Sequence, residues 1–478
     1  MKVLVTGSTG YIGGRLVPRL LAAGYAVRCL ARNAEVLEGR FPGAEVMEGD
    51  LFQEDALRAA CEGVDAAYYL VHSMSDSSAF AQRDRDAAVA FGKAARACGI
   101  RRIIYLGGLG EDGAALSHHL RSRHEVGEVL RDSGVETIEF RAAMIVGSGS
   151  VSFEMMRYLT ERLPVMIAPR WVTTRSQPIG IRDVLRYLVA ALGLPAGPSR
   201  IYEIGGADVV TYRDMMLGYA RLRGLHRSVI IVPFFTPRLS SYWVHIVTPV
   251  SARLAQPLIL GLQNEVVVCD GAARRDFPEI EPEGFDAAVS RALDRYRAGG
   301  PETTWFDAFD LRGLPKNFSG IREGMLIDRR ERIANATPQQ VATVFTGLGG
   351  RRGWLYGDLL WKVRGFLDRC VGGIGLRRGR RSPTDLRLGD AIDFWRVDAY
   401  EPGRLLRLRA EMKLPGKAWL EFAADPRSDA RTTLTQTAFF EPRGLFGFLY
   451  WYSVAPFHGL LFGGLASQIA LQAEGVAP

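Results

Sequence analysis

Three glycines at a spacing of three, Gly7, Gly10 and Gly13, are the residues with the plainest chemical meaning. They lie in Lys2–Gly14, KVLVTGSTGYIGG, between the apolar run Val3-Leu4-Val5 and a helical pattern through Leu16, Val17, Leu20 and Leu21. A strand, a turn free of side chains and a helix start form a cradle for a pyrophosphate. The backbone passes close to the anion, and the helix N-terminus offers free N–H groups and the positive end of its dipole. A second group of reactive types is His118, His119, Arg123 and His124. The three histidines lack the i, i+4 spacing of a helical metal site, so no metal is assigned. An imidazole exchanges protons near neutral pH, whereas a guanidinium stays charged.

These groups need elements to position them. Strands are expected at Val3–Val5, Tyr25–Leu30, Glu45–Met47, Ala66–Val71, Arg102–Leu106 and Glu136–Phe140. Helical patterns lie between them, one carrying Ala56, Leu57 and Ala60, one at Ala87–Ala97 and one at Arg121–Ser133. Strands linked by such helices require crossovers, hence a parallel, doubly wound α/β sheet. From 150 to 295 the pattern loosens into a cap. It holds helices at Met155–Leu163, Val184–Leu192 and Tyr212–Leu222, a strand at Arg200–Ile204, a break at Pro233–Pro237, and an apolar stretch Ser240–Leu262 with Trp243, Ile246 and Leu258. That stretch packs over the sheet, lines a substrate pocket, or does both. Residues 301–323, introduced by Gly299-Gly300-Pro301, read as a linker.

Residues 324–478 change character. A strand is expected at Met325–Ala334, a helix at Pro338–Phe345 with Thr337 as N-cap, and a helix at Trp354–Val371 with Leu359, Leu360, Val363, Phe366 and Leu367 on one stripe. Arg377, Arg378, Arg380 and Arg381 form a basic loop. Leu406, Leu408, Ala410 and Met412 alternate with charged residues, and Thr433, Thr435 and Thr437 alternate with Leu434, Gln436 and Ala438. Alternation of this kind means antiparallel strands with one wet face. Gly444 to Ala473 carries no charge except what His458 can take up.

A chain of 478 residues exceeds one core. Its net charge of +8 is carried mostly by arginine and comes without a nucleic-acid-binding module, so nucleic acid is not expected as a partner. The excess suits either a solvated surface or a preference for anions or a membrane surface. Five scattered cysteines with no CxxC spacing suit a reducing cytoplasm. No leader is expected, because the first strand begins at once.

Residues 1–300 resemble the short-chain dehydrogenase/reductase superfamily in its atypical, extended NmrA-like branch. Gly7-x-x-Gly10-x-x-Gly13 matches that family's phosphate turn, with Ser8, Thr9, Tyr11 and Ile12 inside it. Gly49-Asp50-Leu51 matches its adenine-contacting segment, Val71 closes strand four, and Arg141-Ala142-Ala143-Met144-Ile145-Val146-Gly147 matches the segment bordering the nicotinamide. The resemblance implies a dinucleotide cofactor. Strand two ends Cys29-Leu30-Ala31-Arg32-Asn33, with no carboxylate to accept from a ribose 2′-OH. Arg32 can pair with a 2′-phosphate, so NADP(H) is expected ahead of NAD(H). The family's Tyr-x-x-x-Lys and Ser/Thr are replaced: His119 stands at the Tyr position, Arg123 at the Lys position, and Leu106-Gly107-Gly108-Leu109-Gly110 follows strand five. His119 and Arg123 are therefore the catalytic candidates that the resemblance leaves, and Arg123 also a cofactor contact.

Residues 324–478 resemble the helix-grip fold of START and polyketide-cyclase-like (SRPBCC) proteins. The match lies in the order of elements, in Thr337-Pro338-x-x-Val341-x-x-Val344-Phe345 and in Glu401-Pro402-Gly403-Arg404-Leu405. It implies a hydrophobic ligand held between the sheet and the terminal helix. Two functions follow: an NADPH-dependent oxidoreductase acting on a lipid, quinone, isoprenoid or polyketide-like molecule, or a non-catalytic NADP(H)-sensing or lipid- or partner-binding protein. Gly444–Ala473 is read first as the terminal helix, then as peripheral membrane contact beside the basic loop, and last as a span.

Overall fold

The computed structural model describes residues 1–475 except 33, 35, 36, 38, 39, 72–77, 111–115, 233–239, 242, 245, 246, 249, 251, 298–301, 304–316, 323, 324, 371, 376–378, 383, 384, 428, 430 and 443. The expected break at 233–237, the glycines opening the linker and most of the linker, Ile246, Val371, Arg377, Arg378, and the side chain of Leu367 lie outside the described residues. The chain divides into two compact units, Met1–Val244 with Ala252–Asp310, and His245–Ser251 with Leu311–Pro478.

The first unit is built on β1 (Lys2–Thr6), α1 (Gly13–Ala22), β2 (Ala26–Ala31), β3 (Glu45–Glu48), α2 (Glu54–Cys61), β4 (Ala66–Tyr69), α3 (Ser78–Ala97), β5 (Arg102–Gly108), α4 (His118–Arg131), β6 (Glu136–Ala142) and β7 (Arg200–Ile204). The strands form one parallel sheet in the order β7-β6-β5-β4-β1-β2-β3. Chain order reverses beside β1, between β2 and β4, and this is where such sheets open a ligand crevice. Both faces are covered, which explains the unbroken apolar run of β1. Val3 and Val5 pack with Leu16 and Leu20, while Leu4 joins Ala88 and Phe91 on the opposite face. Aromatic rings fill both layers. Phe140, Tyr202 and Phe277 lie 5.2–5.7 Å apart on one side, and Tyr69 meets Phe91 at 5.1 Å on the other. The cap contributes α5 (Val151–Arg162), α6 (Ile181–Ala190), α7 (Tyr212–Leu222) and α8 (Ala252–Gly261), followed by α9 (Phe285–Arg297).

The second unit has an antiparallel sheet of β8 (Asn317–Arg322), β9 (Met325–Ala334), β10 (Ala391–Ile392), β11 (Trp395–Glu401), β12 (Leu405–Ala410), β13 (Gly416–Pro426) and β14 (Thr432–Pro442), ordered β8-β9-β14-β13-β12-β11-β10. Three helices accompany it: α10 (Pro338–Thr346), α11 (Asp358–Cys370) and α12 (Gly444–Glu474). At the start of α10 the Thr337 hydroxyl accepts from Gln340 N at 3.3 Å, and Gln340 Oε1 accepts from Thr337 N at 2.8 Å, a reciprocal cap. The C-terminal half of α12 buries Leu461, Phe462, Leu465 and Ile469 against the sheet, with Leu434, Phe422 and Leu408.

Three sequence readings change here. The helix expected from Trp354 begins at Asp358, because Gly353, Leu355 and Gly357 hold φ of +72°, +59° and +67°. Its apolar stripe faces out rather than in, with Leu359 74%, Val363 48% and Phe366 61% exposed. Trp361 and Asp368 turn inward instead. Asp368 is fully buried and accepts from the backbone N–H groups of Gly375 and Lys413 at 2.9 and 2.8 Å, which fixes the helix rotation. The threonine face of β14 is not uniformly wet, since Thr437 is 1% exposed. The basic loop is also partly spent within the fold. Arg380 donates to Leu348 O at 2.9 Å, and Arg381 pairs with Asp390 and Asp385 at 2.8 and 3.0 Å.

His458 of α12 packs against Trp451 and Phe462, and burial, with Arg330 second, lowers its pKa to about 4. An unfolded chain takes up that proton near pH 6.5, at about the ordinary imidazole value. Acid therefore favours the unfolded state, and stability that is complete above that pH is lost as pH falls toward the folded value. A thermal-melt series through this window should show a falling midpoint, and His458→Phe should flatten the slope.

Candidate functional site

The phosphate turn joins β1 to α1. Gly7 holds φ of +72°, and a Cβ there would lie 2.6 Å from Leu70 O. A Cβ on Gly13 would lie 2.3 Å from Gly7 O, so the turn closes only with both glycines. Gly10 differs: its Cβ would meet nothing within 4 Å but Gly7 O, at 3.2 Å. The flank of the turn at Gly10 is thus open toward the crevice, as a cradle for a pyrophosphate must be. Ser8 is fully buried beside Cys29, whose thiol burial pushes up to about 12 and leaves unreactive. Thr9 and Ile12 are half-buried, and Ile12 O accepts from Leu16 N at 2.9 Å to start α1.

Tyr11 is locked from the other side. Its hydroxyl is buried without a partner, burial raises its pKa, and its ring lies 4.7 Å from the Arg15 guanidinium. Arg15, 4% exposed, donates to Ser148 O at 2.7 Å and to Thr303 Oγ1 at 2.8 Å, and Thr303 Oγ1 donates to Tyr11 O at 2.9 Å. Glu302 pairs with Arg19 and Arg295 at 3.5 and 3.0 Å. Residues read as the start of a linker therefore brace the phosphate turn. A buried arginine on the first helical turn was a signal that the sequence carried and the sequence reading passed over. A cleft of about 930 Å³ beside α1 is lined by Arg15, Arg19, Arg182, Arg186, Arg291 and Arg295, and it includes neither His119 nor Arg123.

The other expected cofactor contacts lie along the same sheet end. Arg32 follows β2 and is exposed. Arg28 on the same strand is not available to a ligand, since it donates to the carbonyls of Ala59, Ala60 and Glu62 at 2.8–3.1 Å. Asp50 Oδ1 accepts from Phe52 N at 3.1 Å in the turn before α2, and Leu51 is buried below it. Val71 follows β4, half-buried. Ala142 O accepts from Leu109 N at 2.9 Å and Met144 O from Ile179 N at 3.0 Å, which pins the segment through Ala143 at the end of β6.

The catalytic candidates sit where α4 crosses the end of β5. Ser117 caps α4 by accepting from Leu120 N at 3.4 Å. A Cβ on Gly108 would lie 2.6 Å from Leu120 Cδ2, so the Leu120 side chain of α4 packs directly on the glycine and would have to turn aside for any larger residue there. Arg123 donates through Nη2 to Leu106 O at 2.7 Å, while its Nε is buried with no partner. Tyr105 O–H donates to Arg123 O at 3.0 Å. His124 is 4% exposed, with Nε2 2.9 Å from Gly108 O, and is thereby a packing residue of the β5–α4 contact. His119 is half-buried and His118 exposed on the first turn of α4. Asn264 Oδ1 just after α8 accepts from Ser117 N at 3.2 Å, which brings the cap to the start of α4. The arrangement offers one fixed cation, one imidazole able to move a proton, and no carboxylate among these residues.

Comparisons with known proteins bear on the two units separately. Residues 7–147 match a family model described as NAD(P)H-binding, and residues 321–465 match one described as a protein of unknown function (DUF2867). A Streptomyces griseus protein named (4-alkanoyl-5-oxo-2,5-dihydrofuran-3-yl)methyl phosphate reductase is 30% identical over 229 residues, covering 46% of this chain and 74% of that protein. Photosystem II assembly factor Ycf39 of Trieres chinensis is 25% identical over 275 residues, covering 55% of this chain and 83% of that one. A Caulobacter vibrioides ceramide reductase is 27% identical over 235 residues, 48% and 73% of the respective chains.

The two kinds of glycine in the turn separate by experiment. Gly13→Ala should destabilise the protein by about 1–3 kcal/mol, because backbone must move to admit the methyl group. Gly10→Ala, whose methyl group presses one backbone oxygen at 3.2 Å and otherwise faces the open flank, should lower the melting temperature less than Gly13→Ala yet weaken dinucleotide binding by about tenfold or more. Thermal melts beside nucleotide titrations check both.

Proposed function

Because the chain belongs, through its N-terminal unit, to the NAD(P)H-binding, short-chain-dehydrogenase-like family, we propose that it is an NADP(H)-dependent oxidoreductase acting on a hydrophobic substrate of lipid, quinone, isoprenoid or polyketide-like type. The observation that carries this is the open flank at Gly10 on the same sheet end as Arg123, half-buried and with its Nε–H unspent. In this reading residues 1–300, with the cap at 150–295, form the nucleotide-binding module and residues 324–478 the ligand module. Gly7, Ser8, Thr9, Gly10, Tyr11, Ile12 and Gly13 hold the pyrophosphate. Asp50, Leu51 and Val71 flank the adenine half, and Ala142, Ala143 and Met144 the nicotinamide half. The bound cofactor supplies a hydride. Arg123 holds a ribose hydroxyl or phosphate and fixes charge at the end of β5. His119 supplies or accepts the proton at the substrate oxygen. Arg32, exposed at the end of β2, where Cys29–Asn33 holds no Asp or Glu, receives a 2′-phosphate. The second unit takes up the hydrophobic molecule in a helix-grip arrangement. Two of the relatives are named as reductases, one of them for a ceramide.

One observation favours the alternative of a non-catalytic NADP(H)-sensing or partner-binding protein. The family's Tyr and Lys positions hold His119 and Arg123, Leu106–Gly110 holds no Ser or Thr, and one relative is named as an assembly factor. The two readings part in one assay series. NADPH consumption with a panel of hydrophobic ketones, quinones and long-chain carbonyls should be measurable, and His119→Ala should lower it about 10²- to 10⁴-fold with NADPH affinity retained. Arg32→Ala should cost about 10- to 100-fold in NADPH affinity and little in NADH affinity. No turnover with any of the panel despite tight NADPH binding would select the sensing reading.

Peripheral membrane contact belongs to the same proposal. Leu359, Val363 and Phe366 on α11, and Phe446, Leu449 and Phe457 on α12, are exposed. Arg364 reaches from α11 over the Tyr450 ring at 5.5 Å, so the two helices are neighbours. Arg369 flanks the outward face of α11 while Asp368 points inward, which leaves an apolar surface with basic edges. Such a face suits an anionic bilayer. The protein should sediment with phosphatidylserine vesicles at low salt, and Val363→Asp with Phe366→Asp should release it. Wild-type protein that stays in the supernatant would remove the membrane from the account.

A further inference from the structure

Gln436 is 1% exposed, and neither its amide nitrogen nor its amide oxygen has a hydrogen-bond partner. It lies mid-strand on β14, directly opposite Arg330 of β9 on one side and Phe422 of β13 on the other. This is the sheet face beneath α12. Arg332, two residues along on β9, donates to Ser467 Oγ of α12 at 3.0 Å, and a Cβ on Gly459 would lie 3.9 Å from Arg330 Nη2. Leu434 and Ala438, on the same face as Gln436, belong to the core that includes Phe462 and Leu465. A carboxamide with both ends open in such a core is costly, and folded proteins keep one where something else completes it.

The charged groups around it already have partners. Arg330 gives Nε and Nη2 to the two oxygens of Asp328 at 2.7 and 2.9 Å, so that pair is self-neutralising. Its acid is 2% exposed, and burial holds that carboxyl above the usual range even beside the guanidinium. His458, which Arg330 also faces, has Nδ1 buried and unpartnered, and burial keeps its ring neutral. Trp361 Nε1 and Trp395 Nε1, in the same apolar cluster, are unpartnered donors as well. Among the described residues, what stands open beside Arg330 is therefore uncharged: an amide and an imidazole among Phe, Trp and Leu side chains.

We propose that the face of the second sheet beneath α12 binds an apolar small molecule through an uncharged hydroxyl, carbonyl or amide head, with Gln436 and His458 as the hydrogen-bonding partners of that head. This rests on the reading that the second unit holds the hydrophobic substrate, and it adds the head group selected. A carboxylate head could reach Arg330 only by displacing Asp328 and stranding a buried acid. An ammonium head would meet Arg330 and Arg332.

Equilibrium dialysis of the full-length protein against naphthalene, 2-naphthol and 2-naphthoate tests the assignment. 2-Naphthol should bind about five- to tenfold more tightly than either of the others, the worth of one or two hydrogen bonds. Gln436→Leu and His458→Phe should each bring 2-naphthol to within about twofold of naphthalene, while naphthalene itself still binds. Gln436→Leu should also raise the melting temperature, because it removes an open buried amide. A 2-naphthol preference that survives both substitutions, or 2-naphthoate binding most tightly, overturns the proposal. So does a lower melting temperature for Gln436→Leu, which would show the amide to have a structural partner. If none of the three probes binds the wild-type protein, the apolar-ligand reading of the second unit falls as well, so the two failures are distinguishable.

Discussion

A gap too small for a methyl group governs the nucleotide end of this protein. A Cβ on Gly13 would lie 2.3 Å from Gly7 O, and one on Gly7 would lie 2.6 Å from Leu70 O. With both side chains absent, β1 can turn directly into α1, and the first helical N–H groups face the crevice where chain order reverses. The surroundings are arranged to keep that turn in place. Tyr11 fills the space over Gly147, Arg15 lies along its ring, and Thr303 ties both to the Tyr11 backbone. A rigid anion cradle costs little reorganisation on binding, which is the physical reason to brace it from the far end of the unit.

The same closeness of packing decides what chemistry is left at the end of β5. Leu120 of α4 rests its side chain on Gly108, in the space a larger residue there would need. Arg123 reaches back along the strand to Leu106 O, and His124 spends a ring nitrogen on Gly108 O. A fixed guanidinium with one N–H open, and a half-buried imidazole one helical turn away, stand where the resemblance leads one to expect a tyrosine–lysine pair. Such a set can bind and orient charge and can move one proton. It cannot lower a phenol's pKa, because no phenol stands at that position.

In the second unit the interior is not purely apolar. One sheet face carries an Asp328–Arg330 pair and an open carboxamide at Gln436, beneath a helix that has no formal charge from Gly444 to Ala473 and that contributes the neutral His458. The outer surface shows the reverse, with leucine, valine and phenylalanine on α11 turned to solvent because Trp361 and Asp368 occupy the inward side. Polar groups inside and apolar groups outside both run against the ordinary preference for burial.

Local pattern was enough for much of the architecture. The alternation of apolar runs with helical stretches, and glycines at 7, 10 and 13, are short-range properties, so the parallel sheet, its phosphate turn, the antiparallel second sheet and the helix cap at Thr337 were legible in the chain alone. That His119 and Arg123 stand where the resemblance expects a tyrosine and a lysine, with no Ser or Thr in Leu106–Gly110, is likewise a matter of identity at positions counted along the chain. Contacts between distant residues were not. Thr303 reaches Tyr11 across 292 positions, and no local period announces it. The rotation of α11 depends on Asp368 finding backbone N–H groups at Gly375 and Lys413, which turned an expected core stripe outward. Gln436 looked like one more member of an alternating strand, and only the packing of neighbouring strands and α12 closed water off from it. Sequence sets which groups a segment can offer; tertiary structure decides which of them meet a partner, because burial and hydrogen-bond satisfaction are properties of the assembled layers.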